Sequence, residues 1–193
     1  MFKKSRLYLS FDIETDGPSP IINNLLAIGI YAFTIEAQGP QEIFKLSYNI
    51  RPLDGHTSNA RTMEFWAQHP VQWAQLQIDQ LDADDVMVAI SDKLRSLSSQ
   101  YFFTWVAMPA CFDWMFFKAY YEAAATRADL YDIGYQCFCI STTWNLYKKN
   151  HAAKLRPSPE EYKRAFFQEQ TAHDALNDAI NQGKFYAHLL DLF

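Results

Sequence analysis

Cysteine is scarce in this chain, and its three thiols, Cys111, Cys137 and Cys139, exclude two architectures at once. An odd count with two of them one residue apart suits neither a disulfide framework nor a zinc clip, so buried free thiols are expected. No apolar run approaches the roughly 18 residues of a membrane span. The opening Met1-Phe-Lys-Lys-Ser-Arg6 lacks the apolar core of a signal peptide and leads straight into a strand, which predicts a cytoplasmic protein. An excess of basic charge is also missing. The formal net charge is -5, which argues against a general nucleic-acid coating protein. Neither an internal repeat nor a linker composition appears. What is present is a chain of 193 residues, 49% hydrophobic and 16% aromatic, which excludes disorder and predicts a single domain over 1–193.

Charge is unevenly spread. Asp79 to Asp85 is acidic, whereas Lys148, Lys149, Lys154, Arg156, Lys163 and Arg164 gather ahead of the last helical segment. Such a stripe either steers a polyanion toward an acidic protein or is simply a solvated surface.

Read in order, Leu7 to Ile13, Leu25 to Ile35 and Ile43 to Ile50 predict three strands joined by short connections, hence an antiparallel meander. A helix follows over Ala60 to Gln68 with Ser58 as its cap, ended by Pro70, and then a short second helix. Asp82 to Leu97 carries Val86, Ile90, Leu94 and Leu97 at helical spacing. Phe102 to Ala107 predicts a buried fourth strand, Phe112 to Ala125 a helix, and Gln136 to Ile140 a fifth strand. Ser141 is the expected cap of a helix through Lys148, Asn150 to Pro159 an expected loop, and Asp174 to Leu190 the last helix. Three antiparallel strands followed by alternating strands and helices predict one mixed-sheet α/β domain.

Three places carry candidate chemistry. Side chains two apart on a strand share a face, so Leu7, Leu9, Phe11 and Ile13 point one way and Tyr8, Ser10, Asp12 and Glu14 the other. Two carboxylates thus sit side by side at a strand end, which raises their pKa values unless a cation lies between them. A solvated strand end is the alternative. Asp113 follows the fourth strand at the start of a helix, where the dipole favours an anion by a few tenths to ~1 kcal/mol. Capping alone would account for it. Beyond the carboxyl ends of strands is also where open α/β sheets bind ligands. Finally, residues five apart on a helix are rotated by roughly 140°, so His173 and Asp178 meet one site only if His173 precedes the helix. Asp174 or Thr171 would then cap it. Ala175, Ala179 and Gly183 are small at i, i+4 and i+8, which permits close packing on the sheet.

Asp12-Ile-Glu14-Thr15, then Asp113, then His173 to Asp178, in this order, resemble the motifs of the DEDDh 3′–5′ exonucleases, a superfamily that includes proofreading subunits, oligoribonucleases and RNase T. The resemblance spans nearly the whole chain. Thr62-Met-Glu-Phe-Trp-Ala-Gln68 also looks like the T-x-x-[FW]-W-x-x-Q helix of an RNase T-like subgroup in phages and bacteria. The resemblance implies an α/β, ribonuclease H-like fold with a mixed five-stranded sheet flanked by helices. It implies two Mg²⁺ or Mn²⁺ ions, which also suits an all-carboxylate ligand set. Asp12 would bridge both ions, Glu14 and Asp178 would hold the one that binds the nucleophilic water, Asp113 would support the other, and His173 would be the general base. Thr15 resembles the family's contact to a terminal nucleotide. Phe65, Trp66 and Phe112 are candidates for stacking on single-stranded substrate, or for the core. The implied partner is single-stranded nucleic acid with a free 3′ end, RNA slightly favoured, with a homodimer as in several relatives. The alternatives are a DNA exonuclease of proofreading type, a catalytically idle nucleic-acid-binding protein, and a carboxylate-bridged metal oxygenase. The last lacks the expected Glu-x-x-His pairs.

Overall fold

The alternating run of β1 (Ser5–Thr15) forms the middle of a five-stranded sheet. The computed structural model describes residues 4–151, 161, 165–166 and 173–191. β1 pairs antiparallel with β2 (Leu25–Glu36), and β2 antiparallel with β3 (Gly39–Asn49), which is the expected meander. On its other side β1 runs parallel to β4 (Tyr101–Ala107), which runs parallel to β5 (Cys137–Cys139). The order is β3-β2-β1-β4-β5, a mixed ribonuclease H-like sheet. The described helices are α1 (Ala60–Ala67), α2 (Pro70–Leu76), α3 (Ala83–Leu97), α4 (Ala110–Ala125), α5 (Ile140–His151) and α6 (Ala175–Asp191). No helix among the described residues is long and apolar enough to cross a membrane.

The two faces of β1 meet different layers. Leu7, Leu9, Phe11 and Ile13 are buried against Val86, Met87, Ile90 and Leu94 of α3 and Phe116, Phe117, Tyr120 and Tyr121 of α4. Phe11, Trp105, Trp114 and Phe117 form a four-ring cluster with centroids 5.1–6.2 Å apart. Each such pair adds about 0.5–1.5 kcal/mol beyond area burial. The opposite face, with Tyr8 and Ser10, lies under α6.

Small residues let α6 approach that face. Ala175 and Ala179 are buried, and a Cβ built on Gly183 would lie 2.7 Å from the Tyr31 ring and 3.0 Å from Ser10 Cβ. A Cβ on Gly29 of β2 would lie 2.3 Å from the backbone of Ala175 and Leu176, so only glycine admits the start of α6 there. Gly29 is the cross-strand partner of Asp12. The sequence expectation of close packing through Ala175, Ala179 and Gly183 is met, and the sheet supplies a matching glycine.

Local details depart from expectation in four places. Asn59, not Ser58, caps α1: its side chain accepts from the Thr62 N–H at 3.2 Å, because the Ser58 hydroxyl donates instead to Asp16. α5 starts at Ile140, so Ser141 lies within its first turn instead of preceding it. That helix also runs through His151 and takes in the first residues of the expected loop; the rest of that loop, with Lys154, Arg156, Lys163 and Arg164, lies outside the described residues. The three cysteines are free, but Cys111 is exposed and Cys137 and Cys139 only partly buried, since β5 is a three-residue strand at the sheet edge.

Candidate active site

The end of β1 sets the first two acids. Asp12 and Glu14 share the face turned to α6, and a register shift between Glu14 and Thr15 marks where the strand leaves its regular pairing with β2. Beyond it the chain is held by polar contacts to the backbone. The Thr15 hydroxyl donates to the Gly17 carbonyl at 3.0 Å, and the Trp66 indole N–H donates to the Thr15 carbonyl at 2.9 Å. Buried Asp16 accepts from the Asn24 N–H and the Asn24 side-chain amide, both at 2.6 Å, and from the Ser58 hydroxyl at 2.8 Å. This acid, which the sequence marks only as part of a turn, ties the strand end to the approach of α1.

His173 lies just before α6, as the rotation argument requires, with φ +64° in the left-handed region that non-glycine residues seldom adopt. Its backbone N–H donates to Asp178 Oδ2 at 2.9 Å, and Asp174 Oδ1 accepts from the Asn177 N–H at 3.0 Å. Asp174 is therefore the capping side chain, and Thr171 lies outside the described residues. The contact to Asp178 offsets the strained conformation and brings His173 and Asp178 to one place.

There α6 meets β1. Asp12, Glu14 and Asp178 each offer a carboxylate oxygen, and these oxygens lie within 4.8 Å of one another. Asp113 sits in the first turn of α4, whose N-cap position is Pro109, so it is not the cap residue. It is 3% exposed, and its Oδ2 is buried with no hydrogen-bond partner among the described residues.

The electrostatics are those of acids confined together. Burial first, and the charges of Asp113, Glu14 and Asp178 after it, push Asp12 well above the usual carboxylate range; a hydrogen bond from Gln182 opposes this. Burial and the charges of Asp178, Asp174 and Asp113 raise Glu14 to about 8. Burial raises Asp113 to about 7 and Asp178 to about 6, the latter opposed by the His173 N–H. Without a cation these groups hold their protons to higher pH than free carboxyls do; a bound cation would favour their charged forms.

His173 is flanked by aromatic rings. Its ring centroid lies 4.7 Å from Phe65 and 4.6 Å from His69, and His69 Nδ1 is 2.9 Å from the Phe65 carbonyl. Burial, then the charge of His69, lowers the His173 pKa. Phe65 is half-buried among His69, His173 and Trp66. Trp66 is 2% exposed and supports Thr15 from the interior, leaving no open face for a base. Phe112 is half-buried against Phe116, with centroids 5.3 Å apart. Two contacts escaped the sequence reading: His69 beside the histidine, and Gln182, whose Nε2 donates to Asp12 Oδ1 at 2.6 Å. The Gln182 position, one turn after Asp178, is the only sequence signal for it.

A ribonuclease H-like sheet with D-x-E on its central strand, an aspartate opening the helix after the fourth strand, and H-x-x-x-x-D at the start of the last helix is the arrangement of DEDDh 3′–5′ exonucleases. The chain belongs to the family described as the 3′–5′ exoribonuclease Rv2179c-like domain, whose model matches residues 7–190. A curated relative, the 3′–5′ DNA exonuclease Cap18 of Escherichia coli, is 27% identical over 186 residues, covering 93% of this chain and 89% of Cap18. Among solved structures, the nuclease domain of 3′hExo, a DEDDh family member bound to rAMP, matches with TM-score 0.68 and 14% identity, over 99% of this chain and 94% of that one. Pop2p of S. pombe, in a form binding Mg²⁺ and Mn²⁺, matches with TM-score 0.58 and 12% identity, over 96% and 83%. At these identities the structural likenesses establish the fold.

Proposed function

We propose that this exonuclease hydrolyses single-stranded nucleic acid from a free 3′ end, releasing nucleoside 5′-monophosphates, with RNA slightly favoured. The reading is carried by the convergence of Asp12, Glu14 and Asp178 oxygens within 4.8 Å, beside the histidine that precedes α6.

Two Mg²⁺ or Mn²⁺ ions fit the residues present. The clustered oxygens are hard donors, and the buried Asp113 Oδ2, without a hydrogen-bond partner among the described residues, is a further carboxylate oxygen that could serve. Asp12 would hold both ions, Glu14 and Asp178 one of them, and Asp113 the other. Such ions, when bound, supply charge stabilisation for the attacking and leaving oxygens and lower the pKa of water. His173 accepts the proton of the attacking water; its lowered pKa keeps the ring neutral, and therefore basic, at neutral pH. The new bond is from water oxygen to phosphorus, the broken bond runs from phosphorus to the 3′ oxygen of the shortened strand, and that oxygen takes up a proton. Asp178 holds the His173 backbone, and Phe65 and His69 bracket its ring. In this reading Thr15 would contact the terminal nucleotide and half-buried Phe112 would stack on the strand, while Phe65 lies against the His173 ring.

The family description supports RNA, and Cap18, a DNA exonuclease by name, supports a second reading with DNA as substrate. Incubation with 5′-labelled single-stranded RNA and DNA of equal sequence, with Mg²⁺ or Mn²⁺, separates them. A 5′-anchored ladder on RNA alone is expected. A ladder on DNA alone reverses the sugar preference, and no ladder on either strand rejects the function.

A further inference from the structure

We propose that Gln182 is a positioning residue of the metal centre, its amide holding the Asp12 carboxylate turned toward Glu14 and Asp178. The inference rests on the metal-binding reading above. Gln182 stands one helical turn beyond Asp178, so one stripe of α6 presents both an acid of the cluster and a donor to another acid of it.

Three observations support the assignment. The bond from Nε2 to Asp12 Oδ1 is short, 2.6 Å, and the side chain is 4% exposed, so water does not compete for it. The other half of the amide, Oε1, is buried without a hydrogen-bond partner among the described residues. A glutamine that served only to fill space would be better replaced by an apolar side chain, which leaves no polar atom unmet. Asp12, moreover, has carboxylate oxygens of Glu14 and Asp178 within 4.8 Å, groups of like charge when ionised, and Gln182 is the side chain that donates to it. An unrestrained Asp12 would be free to turn away from these neighbours, out of the cluster in which it would serve as a metal ligand. Gly183, the next residue, sets the reach of the amide by seating α6 directly on Tyr31 and Ser10. Groups that orient a ligand in this way typically govern metal affinity about 10–100-fold.

The test uses the full chain with two variants. Gln182→Met keeps the bulk and removes the donor; Gln182→Asn keeps the donor but is one methylene short. Calorimetric titration with MnCl₂ in the absence of nucleic acid, melting in EDTA, and rates across MnCl₂ concentrations are measured for each. Both variants are expected to bind Mn²⁺ about 10–100-fold more weakly. Activity should recover toward wild type as MnCl₂ is raised, and each variant should still melt in EDTA as a folded protein. Wild-type Mn²⁺ affinity in either folded variant would overturn the proposal and make Gln182 a packing residue; if Gln182→Met does not fold, Gln182→Asn decides. A wild-type chain that takes up no Mn²⁺ would instead reject the metal reading itself, and this proposal with it.

Discussion

The imidazole rings of His69 and His173 lie 4.6 Å apart, centroid to centroid, at an interplanar angle of 70°. Burial and the charge of His69 both disfavour the protonated form of His173. A general base works unprotonated, so the acidic limb of kcat/KM is expected below the ordinary imidazole value of ~6.5. His69→Phe keeps a ring there and removes the charge. The limb should then move to higher pH, because the His69 charge that disfavours the imidazolium is gone. It should not return fully, because burial remains. A limb that stays in place would separate His69 from the base.

Asp12→Asn and His173→Ala should fail differently. The first turns the central anion of the cluster into a neutral amide, so both Mn²⁺ binding and turnover should collapse. The second leaves all four acids in place and should lower the rate by ~10²–10⁴ with Mn²⁺ affinity nearly intact. Mn²⁺ titration beside single-turnover kinetics checks this. Equal loss of metal in both variants would make His173 a ligand or a strut.

Stability without metal should depend on pH in a defined direction. Glu14 is raised to about 8, Asp113 to about 7 and Asp178 to about 6, with Asp12 raised as well, all by burial first. Unfolded carboxyls titrate near ~4. Across the window from there to about 8 the folded chain therefore binds more protons than the unfolded one, and unfolding free energy falls as pH rises. In EDTA, Tm should decrease between pH 5 and pH 8.5. Each kcal/mol lost is worth about 2–4 °C in a chain of this size. Added MnCl₂ at pH 8 should restore Tm, and Glu14→Gln should flatten the dependence in EDTA. A Tm that climbs through this window would contradict the raised values.

Trp66→Phe removes the indole N–H that the Thr15 carbonyl accepts at 2.9 Å. A buried carbonyl left without a donor costs about 1–3 kcal/mol. Thermal melting should show that loss. If Thr15 lines the terminal-nucleotide pocket, KM for a single strand should rise more than kcat falls. An unchanged KM would restrict Trp66 to a stabilising role.

Which acids and which histidine belong together was legible through the resemblance to the DEDDh exonucleases, and local periodicity showed how they could meet. The two-residue period of β1 puts Asp12 beside Glu14, and helix rotation requires His173 to lie outside α6. Contacts made by docking were not legible. Gln182 reaches Asp12 only once α6 lies on β1, and His69 reaches His173 only once the turn between α1 and α2 lies against the start of α6. Ser58 and Asn59 are equivalent cap candidates until Asp16 takes the Ser58 hydroxyl. Trp66 illustrates the same limit, since apolar spacing cannot separate a stacking surface from a buried support.

Gly29 ties a residue without a side chain to the placement of the proposed site. It stands across from Asp12, where any Cβ would lie 2.3 Å from the backbone of Ala175 and Leu176. Since backbone cannot rotate aside, one methyl group would lift the start of α6 and carry His173 and Asp178 with it. Homologues therefore cannot be sorted into active and inactive by their acids and histidine alone. On the proposed function, a sequence with all five motif positions intact but bulk at position 29 is expected to be inactive, and a saturation screen for activity should find alanine at this position as damaging as asparagine at position 12.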